Sequence, residues 1–244
     1  MLNAEEIVKN IVTTSSDKID KEALLDKYQE PVSRFFHYHL PDGIPDQQFF
    51  KIPITGIIKL VSWTHFKSIL YAHPFIGFLR QATLKMGILP IKGYDYLFKD
   101  QGATRWTFFK VIPFMSESGD EVTRSAEGRA KIESLFTPHL LIHPDIIWEA
   151  VSDEEITATW KIFQETEPIH LIIGKNGDLK SAYLRRWGNP GGVKKYEYHT
   201  FGINVLKEKK YKGVIIPTKG NSGWWFGTKQ YDDGECFRFE VATP

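Results

Sequence analysis

The alternation of apolar and polar positions along this chain changes period once, near the turn "PDGIPD". Before it, "AEEIVKNIV" and "DKEALLDKYQEPVSRFFHYHL" read as helical, with Pro31 breaking or restarting the second run. Leu24, Leu25, Tyr28, Val32, Phe35 and Phe36 recur at roughly helical spacing and should form an apolar stripe. After the turn the period is two. Strands are expected at 49–61, 75–84, 91–99, 103–112, 146–151, 155–163, 169–174, 178–187, 196–208, 212–218, 222–228 and 235–241. The separators, among them "KDQG", "KNGD", "GNPGG" and "YDDG", are turn formers too short for parallel crossovers, so the strands should pair antiparallel.

One helix should interrupt the strands, "GDEVTRSAEGRAKIESLF" at 119–136, capped by Asp120 or the serine before it and stopped by "TP". An advance of about 100° per residue gathers Val122, Ser125, Ala126, Arg129, Ile132, Glu133 and Phe136 on one face. Arg129 and Glu133, four apart, should pair if that face is buried; alternatively, their aliphatic stems cover the sheet edge while the heads reach water. Arg124 and Lys131 fall on the opposite, solvated side. The fold class expected is α+β: N-terminal helices (1–40), then a long, curved, mostly antiparallel sheet, half-barrel-like, over 47–244, in a single domain of 244 residues.

The stretch "YLRRWGNPGG" ends the strand 178–187 in a hairpin loop. Alternation puts Leu179, Ser181, Tyr183, Arg185 and Trp187 on one face, and Lys180, Ala182, Leu184 and Arg186 on the other. Either choice sends one arginine inward with apolar neighbours. The face of Leu179, Tyr183 and Trp187 is the favoured inner one, which would draw Arg185 inward, to stack on an indole and fork toward an acidic group or to pair with a protein acid such as Glu133 or Glu149. Two indoles, Trp224 and Trp225 in "NSGWWFG", should face opposite sides of one strand, and "ECFRFEV" should turn Phe237, Phe239 and Val241 inward and Cys236, Arg238 and Glu240 outward. His199 stands among tyrosines on a strand. His139 and His143 have ligand-like spacing but are bracketed by Pro138 and Pro144, and no third ligand follows in a recognised pattern, so no metal is expected. There is no nucleophile-elbow motif, and Cys236 has no obvious histidine partner.

The segments "EPVSRFFHYHLPDG", "FIGFLRQATL", "GYDYLFKDQGATRWTFFKVIPF", "DEVTRSAEGR", "LRRWGNPGG", "YHTFG", "NSGWWFGT" and "ECFRFEV" occur in that order across residues 30–241. In this the chain resembles a family of uncharacterised, mainly bacterial proteins known only as a domain of unknown function. The resemblance implies one continuous domain and a curved antiparallel sheet akin to that of bacterial lipoprotein carriers. It implies no activity and no substrate.

Composition narrows the partners. Lys and Arg number 31 against 30 Asp and Glu, without long blocks of either sign, which argues against nucleic acid. No run approaches the length of a transmembrane helix, the N-terminus lacks a signal-peptide pattern, and the lone cysteine fits a reducing compartment, so a cytoplasmic protein is expected, its oligomeric state open. Aromatic residues make up 14% of the chain, large rigid area for a core or a cavity wall. The function expected is binding of an apolar or amphipathic, lipid-like small molecule with an acidic head group, by Arg129, Glu133, Arg185, Arg186, Trp187, His199 and Trp225, without a cofactor. The alternatives are an enzyme using the same pocket, with Glu133 or His199 as acid or base, and a structural protein whose arginines only knit helix to sheet.

Overall fold

The strand propensity and short turns after residue 49 build one open sheet of thirteen strands among the described residues, all neighbours antiparallel. The computed structural model describes residues 7–8, 27–45, 49–86, 89–108, 112–192 and 195–242. The first six strands are β1 (Ile52–Lys59), β2 (Trp63–His73), β3 (Gly77–Met86), β4 (Leu89–Phe98), β5 (Gln101–Phe108) and β6 (Ile112–Ser118). The others are β7 (Ile147–Ala150), β8 (Glu155–Thr159), β9 (Ile169–Ile173), β10 (Leu179–Gly188), β11 (Glu197–Tyr211), β12 (Val214–Trp224) and β13 (Glu235–Val241). Their spatial order is β6-β5-β4-β3-β2-β1-β13-β12-β11-β10-β9-β8-β7. Each half is a meander, and the halves join where β1 meets β13.

The edges, β6 and β7, are consecutive in the chain, so the segment between them must span the sheet. It does so as helix α2 (Asp120–Glu133), followed by two single 3-10 turns at Ser134–Phe136 and Pro138–Leu140. Helix α2 contacts β2 to β6 on one half and β10 on the other. Helix α1 (Val32–His39) packs beside it against β7 and β12, burying Val32, Phe35, Phe36 and His39. Pro31 is the N-cap of α1; Leu24 and Leu25 of the expected stripe lie outside the described residues. A four-residue helix, α3 (Tyr231–Gly234), separates β12 from β13.

The main core lies between the concave face and these helices; a second, smaller one, with Ile7, Leu79, Tyr96 and Phe98, covers part of the outer face. Four expectations from the pattern change here. The interval 63–73, read as connection, is β2, with Thr64, Phe66, Ser68, Leu70 and Ala72 inward. Aromatic and polar residues on both of its faces hide the alternation. Likewise β6 occupies 112–118, and the two strands expected at 212–218 and 222–228 are one, β12 at 214–224, because Lys219 and Gly220, which fell in the gap between them, pair with Glu240 and Phe239 inside the ladder. Finally, the far side of α2 is solvated at Arg124, which is exposed, but not at Lys131. The segment between β8 and β9 folds over it, and Lys131 is wholly buried, donating to the carbonyls of Trp160 (2.9 Å) and Glu167 (2.5 Å).

Close approach of α2 to the sheet depends on Gly102 in β5. A Cβ there would stand 2.6 Å from the Cα of Thr123, whose hydroxyl accepts the Gly102 N–H at 2.9 Å. Gly102→Val should lift the start of α2 from β5 and lower the unfolding free energy by about 1–3 kcal/mol, measured by urea titration.

Candidate ligand-binding site

Beneath α2 the sheet is not filled. A cavity of about 300 Å³ remains between the helix and strands from both halves, walled by Phe66, Leu84, Trp106, Ile132, Phe136, Phe201, Ile203, Trp224, Phe237 and Phe239. Into this apolar wall the fold sets Arg80 from β3, Asp95 from β4, Arg129 and Glu133 from α2, and Arg186 from β10.

Four of these charges close on one another. Arg80 Nη2 donates to both oxygens of Glu133 at 2.9 and 2.7 Å, and Arg129 donates to Glu133 Oε1 and Asp95 Oδ2, each at 3.0 Å. Asp95 also accepts from the Thr104 hydroxyl (2.8 Å) and the Trp106 indole (3.1 Å). Phe237 and Phe78 lie under the guanidiniums of Arg80 and Arg129, at 4.6 and 4.8 Å from their ring centres. Burial by itself would raise the Glu133 carboxyl. The two guanidiniums more than reverse this and hold it below the usual range. Glu133 is therefore a fixed anion that ties helix to sheet.

Arg186 is the odd member. Its side chain runs under the helix, where a Cβ on Gly128 would come within 2.9 Å of its Cγ. The guanidinium donates to the Ser125 carbonyl (2.9 Å) and hydroxyl (3.2 Å) and lies over the rings of Phe201 (4.6 Å) and Trp224 (4.7 Å). No carboxylate lies within ion-pairing distance of it among the described residues. Burial, and then repulsion from Arg129, push its pKa down to about 9. The wall thus carries three arginines and, at its exposed rim, Lys59 against two acids, and the enclosed charge left unbalanced is at Arg186. Beside it, burial raises the Cys236 thiol, which Arg186 only partly offsets.

The expectation that Arg185 turns inward with Tyr183 and Trp187 is reversed. The β9–β10 register shifts between Leu179 and Ser181, and this bulge passes the inner face from Leu179 to Ala182, Leu184 and Arg186. Arg185 lies outside, over the Tyr198 ring at 5.0 Å and 3.9 Å from Glu167. Trp187 sits off the cavity, its indole N–H bonded to Glu121 and its ring under Arg124 at 4.1 Å. A second bulge, between β12 and β13, turns Cys236 toward the cavity rather than outward. Trp225 follows β12 with a positive φ of 55° and is not part of the cavity wall; Trp224 is. His199 stands opposite Arg186 in the β10–β11 register but outside the wall, 3.6 Å from Glu197.

Arg80 and Asp95 were missed by the sequence reading. The signal was available: Arg80 alternates with Phe78, Ala82 and Leu84, and Asp95 with Ile91, Gly93 and Leu97, so each is a charge on an apolar strand face. Among the described residues no three His, Cys, Asp or Glu side chains are grouped as a metal site would require. His139 is buried against Phe50, and His143 packs at a tilt on Phe75, at ring distances of 4.6 Å in both cases.

An open antiparallel sheet, crossed by one helix and keeping a charged, aromatic-walled cavity beneath it, defines the class of protein. Over residues 29–243 the sequence matches the Family of unknown function (DUF6920), and the chain belongs to that family. No curated protein matches it. Among solved structures it is similar to the LolA superfamily protein NE2245 from Nitrosomonas europaea, at 10% identity and a TM-score of 0.46, covering 92% of each chain. It is also similar to a putative outer membrane lipoprotein-sorting protein domain from Vibrio parahaemolyticus, at 6% identity and a TM-score of 0.40, over 79% of this chain and 82% of that one. At these values neither likeness bears on function.

Glu133→Gln leaves the buried Arg80, and the partly exposed Arg129 beside it, without their shared anion and should cost about 3–5 kcal/mol in urea unfolding, more than Asp95→Asn, which affects Arg129 alone. On the far side of α2, Glu127 is 2% exposed, and its pKa is pushed up to about 7, first by burial and then by Glu165. The folded protein thus holds that proton more tightly than the unfolded chain, so the stabilisation is complete below the ordinary value of 4.5 and is lost as pH rises through about 7. Glu127→Gln should remove this decline, on the order of 1–3 kcal/mol, in unfolding titrations on either side of that window.

Proposed function

We propose that the cavity under α2 binds an apolar or amphipathic small molecule bearing an acidic head group, the tail against the aromatic wall and the head at Arg186. The observation that carries this reading is a largely enclosed guanidinium, held against Phe201 and Trp224, with no carboxylate within ion-pairing distance among the described residues, in a cavity of about 300 Å³. A buried charge without a counter-ion is costly, and an incoming carboxylate or phosphate would offset that cost. The volume is at the lower end of the range for small-molecule sites.

The closed set of Arg80, Glu133, Arg129 and Asp95 favours a second reading for those four residues, that they hold the helix on the sheet and touch no ligand. Catalysis finds less support. A carboxylate clamped by two guanidiniums is a weak base, and a thiol raised by burial is a weak nucleophile.

Native mass spectrometry of protein stripped of lipid and then given a medium-chain fatty acid should show a one-to-one complex and a raised melting temperature. Arg186→Met should weaken that binding by about tenfold to a hundredfold, the loss of one charge-assisted contact, and leave binding of the matching fatty alcohol unchanged. Protein that takes up no amphiphile, with no thermal shift from any, would leave only the scaffold reading.

A further inference from the structure

The outer face of the sheet carries a charge distribution unlike that of the whole chain. Register aligns Lys219, Glu240, Thr55, Lys67, Thr83 and Lys92 in one row across β12, β13, β1, β2, β3 and β4. The next row toward the β1–β2 turn runs through Arg238, Ile57, His65 and Lys85. Lys67, Lys85, Lys92, Lys219 and Arg238 are all exposed, and Glu240 is the exposed acid among them; Glu235 is already bound to Arg238 at 2.6 Å. In a chain of 31 basic and 30 acidic residues this is a marked local excess.

Beside the second row the β1–β2 turn projects apolar residues. Val61 is 101% exposed and Leu60 37%, followed by Trp63, whose ring lies under Arg238 at 4.6 Å. Acids also lie near this turn: Asp232 and Asp233 are on α3, where Lys59 donates to the Asp233 carbonyl (3.0 Å), and Glu235 holds the Arg238 that lies over Trp63. Together these features make an apolar tip with a tryptophan at its base and a cationic field on one flank. A bilayer with anionic head groups matches each part: acyl chains for Leu60 and Val61, the interface for Trp63, phosphates for the lysines.

We propose that this end of the protein docks peripherally on anionic membranes, with the β1–β2 turn dipping into the interface and the outer face of β12, β13 and β1 to β4 turned toward the head groups. The cavity wall reaches this same end of the sheet, through Ile58 and Lys59 at the end of β1 and Trp224 at the end of β12. Docking nevertheless stands independently of what the cavity holds.

The test is co-sedimentation of the full chain with phosphatidylcholine vesicles, with and without phosphatidylglycerol. Binding is expected only with phosphatidylglycerol, falling as salt is raised. Charge reversal across the two rows in Lys67→Glu/Lys85→Glu/Lys92→Glu should weaken it by at least about tenfold. Leu60→Ser/Val61→Ser should weaken it at unchanged charge, and because all five positions are exposed the variants should keep the parent's circular dichroism and melting temperature. No sedimentation with either vesicle, equal binding to both, an unaffected tip variant, or binding to duplex DNA in place of vesicles would overturn the proposal. Arg186→Met separates the two readings: it should sediment like the parent while losing the fatty acid.

Discussion

Connectivity is the constraint on which the rest depends. The two edge strands, β6 and β7, follow one another in the chain while the first and last strands pair in mid-sheet. The chain between the edges must therefore travel the full width of the concave face, and an amphipathic helix can do so while burying one side and satisfying its own backbone. Much of what lies under that helix is then shielded from water. Charges there must pair, and the closed set of Arg80, Glu133, Arg129 and Asp95 is that outcome.

A bridge anchored at both ends also explains why the space below is not squeezed shut. The helix rests where Gly102 permits backbone contact and where Gly128 lets Arg186 pass beneath it. Between these supports the distance to the sheet is set by the anchors, not by the size of the side chains beneath. A cavity is the result, and Arg186 is the group inside it whose charge the protein does not neutralise.

Much of this was legible in the residues. The switch of period near residue 41, the turn-rich separators and the helix at 119–136 gave the antiparallel sheet and the place of α2, and the face of Arg129, Ile132 and Glu133 is the one turned to the sheet. What failed did so for local reasons. A simple alternation of faces cannot register an extra residue, so the bulge near Lys180 exchanged Arg185 for Arg186, and another near Cys236 reversed the thiol. Lys131 looked solvated because a helical wheel knows only its own helix, and the cover is a loop between β8 and β9, distant in sequence. Arg80 and Asp95 could have been found by applying to β3 and β4 the test that was applied to β10.

The seam between β1 and β13 has a consequence for how the molecule assembles. Ile54 cannot meet Val241 until the intervening chain exists, so during synthesis the border of β1, in what will be the middle of the sheet, has no strand to pair with until β13 follows. Contacts so remote in sequence form slowly, and an exposed strand border invites pairing with another copy. The step that completes the native sheet is thus also the one at which a nascent chain is most open to association with its neighbours.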